Sequence, residues 1–214
     1  MRRESTETVA DRRGRRRSAA ALATRNEVVR AATLLFGELG YAGTTIDEVA
    51  DRAGVAVQTI YNAVGGKAAL LDAVLDAVAA GPDAPRLVPE VMSERTRAVR
   101  DPEEAASLLA DWFADVHPRT AWLMRVIRDA AAVDPTVAAF EERRAGQRFT
   151  NYRHGAEIIA QRVGLRDATS AEELAATIWS CGHPDTFHML TGARRWSVDA
   201  YRDWVRRSIR RHLA

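Results

Sequence analysis

Gln58, Thr59, Tyr61 and Asn62 crowd amides and hydroxyls into five consecutive positions, with no thiol, imidazole or carboxylate among them. That chemistry recognises rather than reacts. A primary amide offers a donor and an acceptor together, which matches the major-groove edge of adenine, and a threonine hydroxyl can bond a base or a phosphate. Tyr61 adds a donor suited to phosphate, and Lys67 adds a full positive charge a few residues on. Signatures of catalysis are missing: there is no Gly-rich phosphate loop, no Gly-x-Ser-x-Gly elbow and no His-Glu-x-x-His pair.

Such side chains need a rigid element to carry them. Val55, Ile60 and Val64 are apolar at spacings that suit a helix over 57–64 and leave Gln58, Thr59, Tyr61 and Asn62 outward. Just before it, Thr45-Ile46-Asp47-Glu48 is a capping-box sequence opening a short helix that Gly54 closes. Two short helices joined by a glycine turn make a helix-turn-helix, whose second member enters the major groove. The free N–H groups after Thr45 and near Lys67 can also face phosphates. An earlier helix is expected from the capping box at Thr24, with Val28, Ala32, Leu35, Phe36 and Leu39 on one face and its end at Gly40. A later one is expected from Lys67 to Ala80.

Residues 1–22 have no helical periodicity and read as a flexible basic arm, with Arg12, Arg13, Arg15, Arg16 and Arg17 either solvated or reaching for phosphate. Net charge is only +2, so that clustering is the notable feature. No apolar run has the roughly 18 residues of a membrane span, and the amino terminus lacks an export signal's core, so a cytoplasmic protein without membrane contact is expected. Cys181 is the only cysteine, which rules out an intrachain disulfide and suits a small buried apolar role.

The run from Gly40 to Val55, followed by Thr59-Ile60-Tyr61 and Lys67-Ala68-Ala69-Leu70-Leu71, resembles the amino-terminal domain of the TetR family of bacterial repressors. The resemblance implies an all-α protein: a basic arm at 1–22, a three-helix DNA-binding domain at 23–68, and a larger helical ligand-binding and dimerisation domain at 69–214. It implies that Arg25, Thr45, Tyr61 and Lys67 hold the DNA backbone while Val57, Gln58, Thr59 and Asn62 read bases. It also implies a homodimer on palindromic operator DNA and a small-molecule ligand that releases it; no cofactor is expected, and the lone Cys181 and the spacing of His183 and His188 give no metal site. Ala56, Ala63, Val64 and Gly66 depart from the family's usual pattern.

Beyond a linker at Gly81-Pro82-Asp83-Ala84-Pro85 the chain reads as helices, with starts at Pro102, Pro135, Ala171 and Val198 behind the caps Asp101, Asp134, Ser170 and Ser197. Trp112, Trp122, Arg125, Phe149, Tyr152, Trp179, His183 and Phe187 combine bulk with polar tips and are candidate ligand contacts, although apolar residues at helical spacing ordinarily form core. Leu190, Trp196, Tyr201, Trp204, Val205 and Ile209 are candidates for a two-fold interface, or else seal the protomer's own core. His183 and His188 are five apart, which does not suit a metal pair, and His183 is expected to cap or turn. A helical carrier or interaction module that merely keeps the amino-terminal fold is the alternative function.

Overall fold

The computed structural model describes residues 9–81 and 88–214, of which 9–17 are described by backbone alone. Among these residues every regular element is a helix. They are α1 (Val9–Gly43), α2 (Ile46–Ala53), α3 (Val57–Ala63), α4 (Lys67–Ala80), α5 (Val88–Ala98), α6 (Pro102–Ala131), α7 (Pro135–Val163), α8 (Ala171–Cys181), α9 (Pro184–His188) and α10 (Val198–Arg210). A π-helical segment, Met189–Ala193, follows α9. The chain divides into two compact units between Val74 and Leu75, within α4.

The expected start at Thr24 is wrong. Helix α1 runs from Val9, so the part of the arm from residue 9 onward is helical, and Thr24 lies inside it with its hydroxyl bonded to the Ala20 carbonyl at 3.0 Å. A hydroxyl that reaches back one turn has no need to cap, and Ala19, Ala20, Ala21, Leu22 and Ala23 are good helix formers that let the helix continue upstream. Residues 1–8 lie outside the described residues, as do 82–85 of the expected linker. At the other end the helix breaks where expected, at Gly40 (φ 69°, ψ −177°).

In the first unit, Val28, Ala32 and Phe36 are completely buried and Leu35 nearly so, but Leu39 stays exposed because the chain turns at Gly40. Helices α1, α2 and α3 pack on one another, and Val49, Ile60 and, on α4, Leu70, Leu71 and Val74 are completely buried.

The second unit is built on α6, which packs against α7 and α10, while α8 packs on α7 and α10. The expected caps are in place: Asp101, Asp134, Ser170 and Ser197 each accept a backbone N–H in the first turn, and Ser170 with Glu173 completes a capping box. Tyr201, wholly buried, donates from its hydroxyl to the Cys181 carbonyl at 2.6 Å, which ties α10 to the end of α8. Cys181 itself is buried, as its sequence context suggested.

Gly182 ends α8 directly against the Phe113 ring, where an added Cβ would stand 2.2 Å from the ring. No rotamer of a fully buried phenylalanine relieves that overlap without moving α6 or α8. Gly182→Ala is therefore expected to destabilise the second unit by about 3 kcal/mol, read as a lowered urea midpoint; an unchanged midpoint would show that the two helices can part at no cost.

Candidate nucleic-acid interface and an interior cleft

Helix α2 begins at a reciprocal cap. The Thr45 hydroxyl oxygen accepts the Glu48 N–H at 3.2 Å, and a Glu48 carboxylate oxygen accepts the Thr45 N–H and hydroxyl, both at 2.8 Å. These bonds hold the Glu48 carboxyl below the usual carboxylate range, the backbone bond from Thr45 contributing most. Thr45 was expected to contact DNA; in this structure its hydroxyl proton is already committed to Glu48.

The turn to α3 depends on Gly54, which sits in the left-handed region (φ 66°, ψ 34°) that a side chain would strain. Its N–H and that of Val55 return to the carbonyls of Asp51 and Ala50 at 3.2 and 3.0 Å, satisfying the end of α2. Ala56 then starts α3 with no side-chain cap.

On α3, Ile60 faces inward with no exposure, while Gln58, Tyr61 and Asn62 are exposed and Val57 and Thr59 are half-buried. Gln58 donates to the Asn62 carbonyl oxygen at 3.1 Å, one helical turn away. The two amides thus brace each other and stand ready as a pair. Lys67, half-buried at the start of α4, carries its ammonium 4.2 Å from the centre of the Tyr41 ring. That contact holds the cation in place, and Tyr41 had not been singled out from sequence. Arg25 is half-buried on α1.

The second unit contains a cleft of about 420 Å³, bounded by Met124 and Arg128 of α6, Glu141 and Arg148 of α7, and His183 and Asp185 at the start of α9. Arg128 pairs with Asp185. His183 caps α9 as expected, its Nδ1 accepting the Asp185 N–H at 3.2 Å, which leaves Nε2 to carry the proton of the neutral ring. Of the expected ligand contacts only His183 lines this cleft.

Phe149, Tyr152 and Trp179 form an aromatic cluster behind it, with Phe149 and Tyr152 at 5.7 and 6.2 Å from Trp179, and His183 at 5.3 Å from the same ring. Burial pushes the Tyr152 hydroxyl up to about 12. Phe187 lies elsewhere, buried among His117 and Tyr201. Trp112 packs on the core, Trp122 is half-buried and Arg125 is exposed.

Sequence reading missed Arg148 and His117. Glu141, Ala145, Arg148 and Tyr152 recur at steps of four, three and four, a stripe that could have been found. Arg148 stands 5.9 Å from the centre of the Trp179 ring with its Nε buried and without a hydrogen-bond partner. His117 is buried among Phe113, Phe187 and Tyr201, its Nε2 likewise unpartnered. Desolvation holds its pKa down at about 4, against the opposing effect of the Gly182 backbone.

The expected interface residues divide. Tyr201, Val205 and Ile209 are wholly buried in this chain's own core and have no surface to offer a partner, because α10 turns that stripe onto α6 and α8. Trp196 is exposed, and Leu190 and Trp204 are half-buried. Trp196 meets Trp204 edge to face at 6.3 Å.

Residues 28–74 match the family of bacterial regulatory proteins, tetR family. Over 140 residues the chain is 24% identical to the uncharacterized HTH-type transcriptional regulator YezE of Bacillus subtilis strain 168, a stretch covering 60% of this chain and 66% of that relative, just under two thirds of its length. NalD of Pseudomonas aeruginosa, the secondary repressor of the MexAB-OprM multidrug efflux pump, superposes with a TM-score of 0.70 at 18% identity over 92% of this chain and 98% of its own. FadR of Bacillus subtilis, solved in complex with stearoyl-CoA, gives 0.64 at 14% identity over 86% and 96%. At such identities the two structures speak for the fold alone.

Two outcomes follow from the local chemistry. Ala56→Ser supplies the missing cap of α3 and should stabilise the first unit by about 1 kcal/mol, seen as a raised denaturation midpoint; no gain would mean that the α3 N–H groups are already satisfied. The unfolded chain takes up the His117 proton near pH 6.5 and the folded one only near 4. Stability is therefore fully present above pH 6.5 and falls as pH drops toward 4, by about 2 kcal/mol at pH 5. Urea titrations from pH 7 to 5 should show this slope, and His117→Leu should remove most of it.

Proposed function

The chain is a member of the TetR family of transcriptional regulators, with residues 28–74 as its match to the family, and from that premise we propose that it is a repressor that binds a palindromic operator as a homodimer and leaves it when a small molecule binds. The observation that carries the reading is the division of α3: Ile60 is wholly buried, while Gln58, Tyr61 and Asn62 face solvent. A helix anchored by its inner face can present an amide pair to base edges without deforming.

Arg25, Thr45, Tyr61 and Lys67 serve the phosphates in this reading, and Val57, Gln58, Thr59 and Asn62 the bases. With its hydroxyl held by Glu48, Thr45 contributes the start of α2, whose N–H groups favour an anion. The exposed Trp196, with Leu190 and Trp204, supplies a surface for the second copy that a palindrome requires.

Release needs a path from ligand to DNA, and α4 is a continuous helix across the boundary at 74/75. Its last turn is held by α6, where Arg119 donates to the Ala79 and Val78 carbonyls at 3.0 and 3.4 Å, and Arg144 of α7 binds Asp76 at 2.7 Å. A ligand that shifts α6 or α7 pulls on the helix whose other end carries Lys67. No helix of the described residues is long and apolar enough to cross a membrane, and the protein acts in the cytoplasm, where its operator is.

Selection of bound fragments from a random duplex library at near-physiological salt tests this. Wild-type protein should enrich one palindromic motif, and a Gln58→Ala, Asn62→Ala variant that keeps its helical circular dichroism should lose the enrichment. Binding with no sequence preference would sink the regulator reading and favour a carrier that retains the fold.

A further inference from the structure

Arg148 is costly where it stands. Its Nε is buried without a hydrogen-bond partner, no carboxylate of the described residues forms an ion pair with it, and the centre of the Trp179 ring lies 5.9 Å from its guanidinium. Burial lowers its pKa against the opposing effects of Tyr152, Glu141 and Asp185. A half-buried guanidinium whose Nε is withdrawn from water without a partner costs stability that an apolar residue there would not.

The surrounding cleft explains what the cation is for. The other cation lining the cleft, Arg128, is exposed and already paired with Asp185. Glu142 is exposed and can keep its water, so Arg148 is the group that gains most from an incoming partner. Apolar walls at Met124 and the alanines of α7, and a volume of about 420 Å³, exceed what an inorganic anion would need. His183, which keeps its proton on Nε2, adds a neutral donor on the same wall.

The geometry points to a small organic anion as the occupant of this cleft, its carboxylate or equivalent acidic group received by Arg148 and its apolar body lying against Met124 and α7. This rests on the reading of the second unit as the ligand receiver and gives that ligand a charge and a point of attachment.

Isothermal titration calorimetry on the full-length, DNA-free protein tests it with two matched pairs, 2-naphthoate with 2-naphthamide and octanoate with octanamide, and with the cation 2-naphthyltrimethylammonium. The acid of at least one pair should bind once per chain and at least tenfold more tightly than its amide. Arg148→Met, which removes an unpaired charge and so should remain folded by circular dichroism, should abolish that preference, and Arg148→Lys should restore part of it. No heat from either acid at millimolar concentration, a preference that survives Arg148→Met, or tighter binding of the cation would each overturn the inference. The release reading fails separately: an acid that binds through Arg148 yet leaves the protein–operator complex intact supports the site and removes the mechanism of induction.

Discussion

Helices of 8 and 7 residues, the lengths of α2 and α3, do not persist in water by themselves, because nucleation costs more than so few backbone bonds return. Everything asked of the amino-terminal unit depends on overcoming that deficit. Burial of Val49 and Ile60 where α1, α2 and α3 pack together supplies most of the difference. The Thr45–Glu48 cap and the left-handed Gly54 prevent fraying at the ends nearest the turn. What remains on the outside of α3 is a surface held still from behind, and the base-reading role proposed for its two amides depends on that fixed backbone.

The second unit solves a different problem. Its core is apolar around α6, yet it contains an imidazole and a guanidinium, each with one buried nitrogen that has no partner. Native interiors seldom tolerate such groups, since each forfeits its hydration without a replacement bond. His117 escapes by staying neutral within an aromatic enclosure. Arg148 has no such escape, and its position on the wall of a cleft gives the lost hydration a use. The two units therefore differ: α3 presents Gln58, Tyr61 and Asn62 outward, whereas the second unit keeps buried nitrogens of His117 and Arg148 without partners.

Much of this was legible in the chain because caps and glycines act locally. Thr45 with Glu48, Ser170 with Glu173, Asp101 before Pro102 and Asp134 before Pro135 each specify a helix start within four residues, and all four stand as read. Thr24 failed for the same local reason: a threonine can bond the carbonyl four residues back as readily as cap, and what decides is the helix-forming alanine run upstream. The cleft was beyond such reasoning. Arg148 meets Trp179 across 31 positions, and Arg128 meets Asp185 across 57, so neither partner signals the other in sequence. The stripe on α10 was read as apolar, and rightly, but periodicity does not say whether the facing surface belongs to the same chain; Tyr201, Val205 and Ile209 found theirs on α6 and α8.

The separation of duties on α3 also bears on how such a protein can diverge. Ile60 carries the packing and is confined to a narrow set of replacements, but Gln58, Tyr61 and Asn62 touch little of the core. Exchanges at those exposed positions alter stability by only a few tenths of a kcal/mol as a rule, so drift there is nearly free of folding cost. With these side chains in the DNA-reading role proposed for them, copies of this chain could acquire new target sequences after gene duplication one side chain at a time while every intermediate remains folded, a route that a recognition surface sharing residues with the core would close.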